Sequence, residues 1–344
     1  MDSFYNKIEA ARLLDSIIAE RVEAASSPQM YEMDSEATER FGLTILKEDT
    51  DTISKLVQRN DAGEAEEATI AIQGIISGCL LPPFELKSNR PDEIRRLAHI
   101  RQSVTITGLG SKSFESIVEN CRRTHTMFSR YTPNAKLHPL PEFLGKYKSA
   151  NASGVNEYTT ITASARFFTP AKQAAGFSIV DVNPELDPRG VLGKVDGTKW
   201  MHTNDNEVGY YMFMPHDDEE KYKLTTPIIF QTGDIVELQA SMLSIPSKGN
   251  YTAKLILRSI VLLDGHLTTD ATTARTLAAE ATPSLPAPRR LKRRNPYDRY
   301  IRQQPLSRID QASVEDIDEA ELGPEVEIEA QFDCQMGEQQ MDDF

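Results

Sequence analysis

The chain has 344 residues, with 52 acidic and 38 basic side chains for a formal charge of −14; 39% of residues are hydrophobic and 26% charged. That length accommodates two or three domains, and 19 prolines with 18 glycines are close to average usage, which excludes collagen-like and wholly low-complexity chains. The net charge argues against a polyanionic partner only until it is divided along the chain. Residues 309–344 hold 13 acids and no Lys or Arg, residues 289–308 hold eight bases and one acid, and residues 1–288 carry the remaining −8.

Cys79, Cys121 and Cys334 are too few and too far apart for a disulfide framework or a CxxC metal knuckle, which favours a reducing compartment. The N-terminus bears charges where a signal peptide needs an apolar run. The most apolar stretch, Ile75–Leu81, is cut by Pro82-Pro83 and falls far short of the roughly 20 residues of a membrane span. The expectation is a soluble intracellular protein with no membrane partner.

Residues 1–135 read as a helical domain. Phe4, Ile8, Ala11, Leu14, Ile18 and Val22 recur at helical spacing before Pro28. Further short helices are predicted at Asp51–Arg59, Glu64–Ile76 and Pro91–Gln102, the last with Pro91 in its first turn. A fifth runs from Phe114 to about Tyr131 behind the capping candidate Ser113.

From about residue 150 to 266 the period changes to two. Strands are predicted at Thr159–Phe168, Phe177–Val182, Glu207–Met214 and Pro227–Phe230. The clearest pair is Asp234–Ile245 and Tyr251–Leu263, joined through the glycine-containing turn Pro246–Asn250. In the first of these, Val236, Leu238, Ala240 and Met242 share one face and Glu237, Gln239 and Ser241 the other, predicting one buried and one wet face. The fold expected is therefore α+β: a helical N-terminal domain, then a mainly antiparallel β-barrel of the oligonucleotide-binding type or a β-sandwich. Residues 267–344, rich in like charge and poor in bulky apolar groups, are read as a disordered linker and tail.

Val104-Thr-Ile-Thr-Gly-Leu-Gly-Ser-Lys-Ser113 has the outline of a phosphate-binding loop, strand then glycines then Lys-Ser then helix. Ile106 and Ser111 stand where that pattern wants glycine, so a capped helix behind a flexible turn is the plainer reading. His202–Glu207 and His216–Glu220 cluster imidazoles and carboxylates beside turn sequences and read as solvated loops. No motif calls for a metal or other cofactor, and no nucleophile elbow or acyl-transfer signature marks an enzyme.

The basic run is sharper. Arg289, Arg290, Lys292, Arg293 and Arg294 lie between Pro288 and Pro296, with Tyr297, Arg299, Tyr300 and Arg302 just beyond. Such a segment suits a nuclear import receptor or phosphates, and interleaved aromatics could stack on bases. On the β domain Tyr210, Tyr211, Phe213, Lys254 and Arg258 are candidate contacts of an open sheet face. In the tail, apolar residues including Phe332 alternate with acids, the pattern of partner-recruiting segments.

The tail tip, Met341, Asp342, Asp343 and Phe344, resembles the acidic, phenylalanine-terminated tips of bacterial and phage single-stranded-DNA-binding proteins, which recruit partners and compete with DNA. Separately, Trp200–Val208, Phe230–Glu237 and Leu257–Asp264 resemble a family of uncharacterised proteins abundant in mushroom-forming fungi and spread with mobile elements, over residues 155–295. That resemblance implies no activity. The expected function is a nuclear, non-enzymatic interaction protein that binds nucleic acid through the β domain and the basic run, with an acidic tail that recruits partners or autoinhibits. The alternatives are a structural or assembly protein with a basic tether, and a nucleotide-dependent enzyme using Gly108–Ser113.

Overall fold

In the computed structural model the described residues are 1–281, except 25–26, 48–52, 61, 87–89, 133–136, 152–153 and 216–220. Met1–Pro283 forms one compact unit. In chain order the elements are α1 (Lys7–Glu23), α2 (Ser35–Arg40), β1 (Leu43–Lys47), β2 (Ser54–Arg59), β3 (Ala65–Glu67), β4 (Ile70–Leu80), α3 (Pro91–Leu97), β5 (Arg101–Thr107) and α4 (Lys112–Phe128). They continue with β6 (Leu144–Asn151), β7 (Gly154–Arg166), β8 (Thr169–Pro170), β9 (Trp200–Met201), β10 (Gly209–Phe213), β11 (Tyr222–Leu224), β12 (Ile235–Ser247), β13 (Asn250–Asp264) and α5 (His266–Ala281).

The architecture is α+β. One mixed 11-stranded sheet among the described residues runs β11-β10-β13-β12-β4-β5-β7-β6, with β2 also reaching β12 and carrying β1 and β3. Only the β10–β13 pairing is parallel within it. The sheet curls until β7 lies against β13, yet the two do not pair and no barrel closes. One hydrophobic core runs from Leu14 and Ile18 of α1 through Ile72, Val104, Ile106 and Ile117 to Leu238, Leu257 and Ile260. Residues on both sides of position 135 therefore share a core. No described helix is long and apolar enough to cross a membrane.

The β12–β13 hairpin follows the sequence expectation. Ser247 pairs with Asn250 across a two-residue turn in which Lys248 and Gly249 both have positive φ, 46° and 80°. That primed geometry matches the twist of the flanking strands. The expected helix of the first 22 residues forms, but its buried stripe is Ala10, Leu14 and Ile18, while Ile8 is 84% exposed.

Several expectations are overturned. Asp51–Arg59 and Glu64–Ile76, read as helices, supply β2, β3 and β4. Central strand β4 is buried over most of its length, so Ile70-Ala-Ile-Gln-Gly-Ile-Ile76 shows no alternation and is apolar but for Gln73. Periodicity cannot separate such a run from a buried helix, although its β-branched content favours the strand. The helix at Pro91 stops at Leu97, and α4 is capped by Ser111 rather than Ser113. Phe177–Val182 makes only an isolated bridge, Ile179 to Thr203, and Pro227–Ile229 is a 3₁₀ turn. Residues 267–281 are not tail: α5 docks Leu267 and Ala271 into the core, and its threonine hydroxyls donate to carbonyls one turn back. Residues beyond 281, with the expected basic run and acidic tail, lie outside the described residues.

The second face of β12 is not wet either. Glu237 is 1% exposed, and Arg21 of α1 grips its carboxylate with Nε and Nη2 at 2.8 and 2.9 Å. Gln73 and Gln239 donate to the same carboxylate at 2.8 and 2.9 Å, and Arg21 also reaches the Tyr222 hydroxyl and lies over the Phe213 ring. Every acceptor site of the buried anion is thus used, which is the condition under which a buried pair is tolerated. Arg21→Ala is expected to destabilise the protein by about 3–5 kcal/mol in denaturant unfolding, because it strands the Glu237 charge. Arg21→Met combined with Glu237→Leu should recover most of that loss.

Candidate functional site

Where the sheet curls back on itself, the strands flanking β13 and β7 stop short. Along β13 the partner β10 begins only at Ser259, and along β7 the partner β6 ends at Ile161. The N-terminal half of β13 and the C-terminal end of β7 are therefore left facing one another. Between them opens a cleft of about 560 Å³ lined by cations from four strands, Lys55, Arg101, Arg166, Lys254 and Arg258, and by the exposed ring of Phe177. Leu243, Ile245, Pro246 and Ile256 supply apolar lining.

Arg101 and Arg166 are register partners across the antiparallel β5–β7 ladder. Two like charges directly opposite one another destabilise a strand pair. Neither finds a carboxylate: Arg101 Nη1 donates to Ser164 Oγ at 3.4 Å, Arg166 Nη1 to Gln173 Oε1 at 2.9 Å, and among the described residues neither makes an ion pair. Burial and then the Arg166 charge lower the proton affinity of Arg101, partly offset by Glu142; burial lowers that of Arg166, partly offset by Asp205. Lys55 lies in one cross-strand row with Leu243 and Lys254. This is a concave surface with unneutralised positive charge.

Of the residues expected on the sheet face, Lys254 and Arg258 do line the cleft, but both are partnered. Lys254 meets Glu142 at 3.1 Å. Arg258 sits at the register shift beyond Ala240–Leu257, where a bulge re-aims the side chain. Its fork holds Glu67 at 2.6 Å and Asp205 at 2.9 Å, and Nη1 donates to the Asp205 carbonyl at 2.8 Å. Tyr210 does not face a ligand as expected: it is buried, packs near Phe230 and donates to Gln102 Oε1. Alternation on a strand shows that two faces exist, not which of them is covered. Tyr211 is half-buried against Gly209 and lies outside the cleft, as does Phe213 beside Arg21. Lys55, Arg101, Arg166 and Phe177 carried no signal beyond being isolated charged or aromatic residues. Register alone unites them.

The loop Gly108–Ser113 has its own occupant. Ser111 Oγ caps α4 through the Phe114 N–H and donates to Asp15 Oδ1 at 2.6 Å, and the Ser113 N–H donates to the same oxygen at 3.0 Å. The carboxylate of Asp15 stands where a phosphate would sit on a helix N-terminus. Gly108 is explained by packing, since a Cβ there would come within 2.5 Å of Phe114. His202–Glu207, read as a solvated loop, is partly buried. His202 stacks on Phe167 and its Nδ1 meets the Phe167 carbonyl at 2.8 Å, while Asn206 closes a capping box with Thr203. His216–Glu220, Arg289–Arg302 and the tail residues Phe332 and Met341–Phe344 lie outside the described residues.

No family model matches the chain, and no curated protein matches it. Among solved structures, the crystal structure of gp2.5, a single-stranded DNA binding protein encoded by bacteriophage T7, is similar at 15% identity and a TM-score of 0.27, covering 57% of this chain and 87% of that one. At that score the likeness bears on neither fold nor ligand here.

The Asp15 contact has a pH signature. Burial raises its carboxyl pKa, but the hydrogen bonds from Ser111 and Ser113 outweigh this and hold it below the ordinary carboxylate value. A depressed native pKa contributes stability that is present above the unfolded-state value and lost as pH falls through the native one. Asp15→Asn is expected to cost about 1 kcal/mol at neutral pH and to flatten this part of the acid limb in unfolding measured against pH.

Proposed function

We propose that this chain is a non-enzymatic nucleic-acid-binding protein that takes a single strand into the cleft between β7 and β13. The observation that carries this reading is the Arg101–Arg166 pair, opposed in register without a carboxylate beside Lys55. A bridging phosphodiester would relieve their repulsion, and Phe177 with the apolar lining offers a stacking surface for an unpaired base. A base inside a duplex could not enter such a concavity without leaving its stack. On the same footing we assign the basic run Arg289–Arg302 to phosphate contact or to an import receptor, hence a nuclear location. The acidic tail is assigned to partner recruitment or autoinhibition. We also place the chain with the uncharacterised fungal family that residues 155–295 resemble.

A second reading, an assembly subunit, draws on edge strand β11, where Leu224 is 72% exposed, and on Ile228, 65% exposed, just beyond it. Exposed apolar edges are templates for pairing with another chain. Concentration-dependent light scattering of the full chain distinguishes it from a monomeric binder.

The nucleic-acid reading is tested by salt-titrated anisotropy with single strands of about 15 nucleotides and the matching duplex. Arg101→Gln with Arg166→Gln is expected to weaken single-strand binding by about tenfold and to lower the salt slope by roughly 0.7, the value for one lost phosphate contact. The same variant should be as stable as the parent or up to about 1 kcal/mol more so, since a like-charge pair is removed. Removal of residues 309–344 should tighten binding. Unchanged affinity and slope in the double variant, or equal preference for duplex, would overturn the assignment of the cleft.

A further inference from the structure

The cleft is not uniformly cationic. Glu67 and Asp205 also line it, both held by the single guanidinium of Arg258. Nε of Arg258 donates to Glu67 Oε1 and Nη1 to the Asp205 carbonyl, while Nη2 lies within ion-pair distance of both Glu67 Oε1 and Asp205 Oδ1. Ser241 Oγ adds a further bond to Glu67 Oε1. The second oxygens, Glu67 Oε2 and Asp205 Oδ2, receive no hydrogen bond from any described residue. With side chains 35% and 26% exposed, these carboxylates are fixed in position, open to the cleft and short of donors.

Carboxylates repel phosphates, so in a site that served the backbone alone they would be a liability. Their anchoring by Arg258 and the proximity of Arg166, whose proton affinity Asp205 raises, leave a local field unfavourable to a bare divalent cation. What remains is a neutral ligand group rich in N–H donors. Resting on the nucleic-acid reading above, we propose that Glu67 and Asp205 accept hydrogen bonds from the exocyclic amino groups of an unstacked base, while Arg101 and Arg166 hold the adjoining phosphate. The cleft then selects amino-bearing bases over thymine, which has a single N3–H donor and offers O4 where cytosine offers the two donors of N4–H₂. A carboxylate left facing a carbonyl is an unmade contact, and rejection of the wrong partner is how such sites discriminate.

The test uses the full chain and oligo(dC) and oligo(dT) of about 15 nucleotides, both pyrimidines, at equal salt and mildly alkaline pH, where cytosine is unprotonated. Oligo(dC) is expected to bind about fivefold or more tightly than oligo(dT). Glu67→Gln and Asp205→Asn, each keeping an oxygen for Arg258, should together bring the ratio to about one, with oligo(dT) affinity unchanged or higher because repulsion of its phosphates is relieved. Melting curves establish that the variants fold; if one does not, the parent ratio and the other variant decide. Equal binding of the two homopolymers by the parent, or a ratio that survives both substitutions, overturns base selection alone. Failure of both homopolymers to bind at low salt overturns the nucleic-acid reading itself.

Discussion

The constraint on which the rest of the molecule depends is a mismatch of strand lengths. β13 has 15 residues and β7 has 13, but the strands on their outer sides cover only part of each. Right-handed twist curls the sheet until these two long strands meet. Lacking mutual hydrogen bonds, they leave a gap where a closed barrel would have a ladder. Side chains at the gap are freed from the rule that governs a barrel interior, where every position must be filled. Short β10 and short β6 leave uncovered the parts of β13 and β7 that line the cleft.

Two treatments of charge in the same sheet show that the gap is electrostatically distinct. Glu237 and Arg21 are buried and reciprocally saturated, as cations and anions removed from water must be. Arg101 and Arg166 are left opposed and without an ion-pair partner among the described residues, in spite of a surplus of acids over the body of the chain. A fold optimised for stability alone would place a carboxylate at one of the two positions. The retained repulsion is of the kind that a bound anion would remove, which on the proposed reading would tie the cost to ligand binding rather than to folding.

The fold was legible where a local rule decided it. Alternation and a glycine turn specified the β12–β13 hairpin, and Pro91 marked the start of α3. It was illegible where burial erased the period, as in β4, or where packing lent order to a weakly helical stretch, as in α5. The site was less legible still. Arg101 and Arg166 are 65 positions apart, and nothing but strand register makes them neighbours. Arg258 could be read as a cation from sequence, but not as the clamp of two acids, because Glu67 arrives from β3 and Asp205 from the loop before β10. Tyr210 misled for the converse reason: an aromatic on a strand is as well suited to the core as to a ligand.

The sign of the whole chain and the sign of the site are separable because screening limits how far each charge is felt. At physiological salt the Debye length is about 8 Å, so acids elsewhere on the body barely act on a phosphate inside a cleft. The low-dielectric walls strengthen the near charges instead. Within that range the balance is set by Lys55, Arg101 and Arg166, because Lys254 and Arg258 are already offset by Glu142, Glu67 and Asp205. Five cations against three acids leave an excess of two, which is modest. On the proposed reading it would order one or two phosphodiesters without binding polyanions indiscriminately, and the energy that distinguishes one strand from another would have to come from the bases, through Phe177 and the carboxylates of the same cleft.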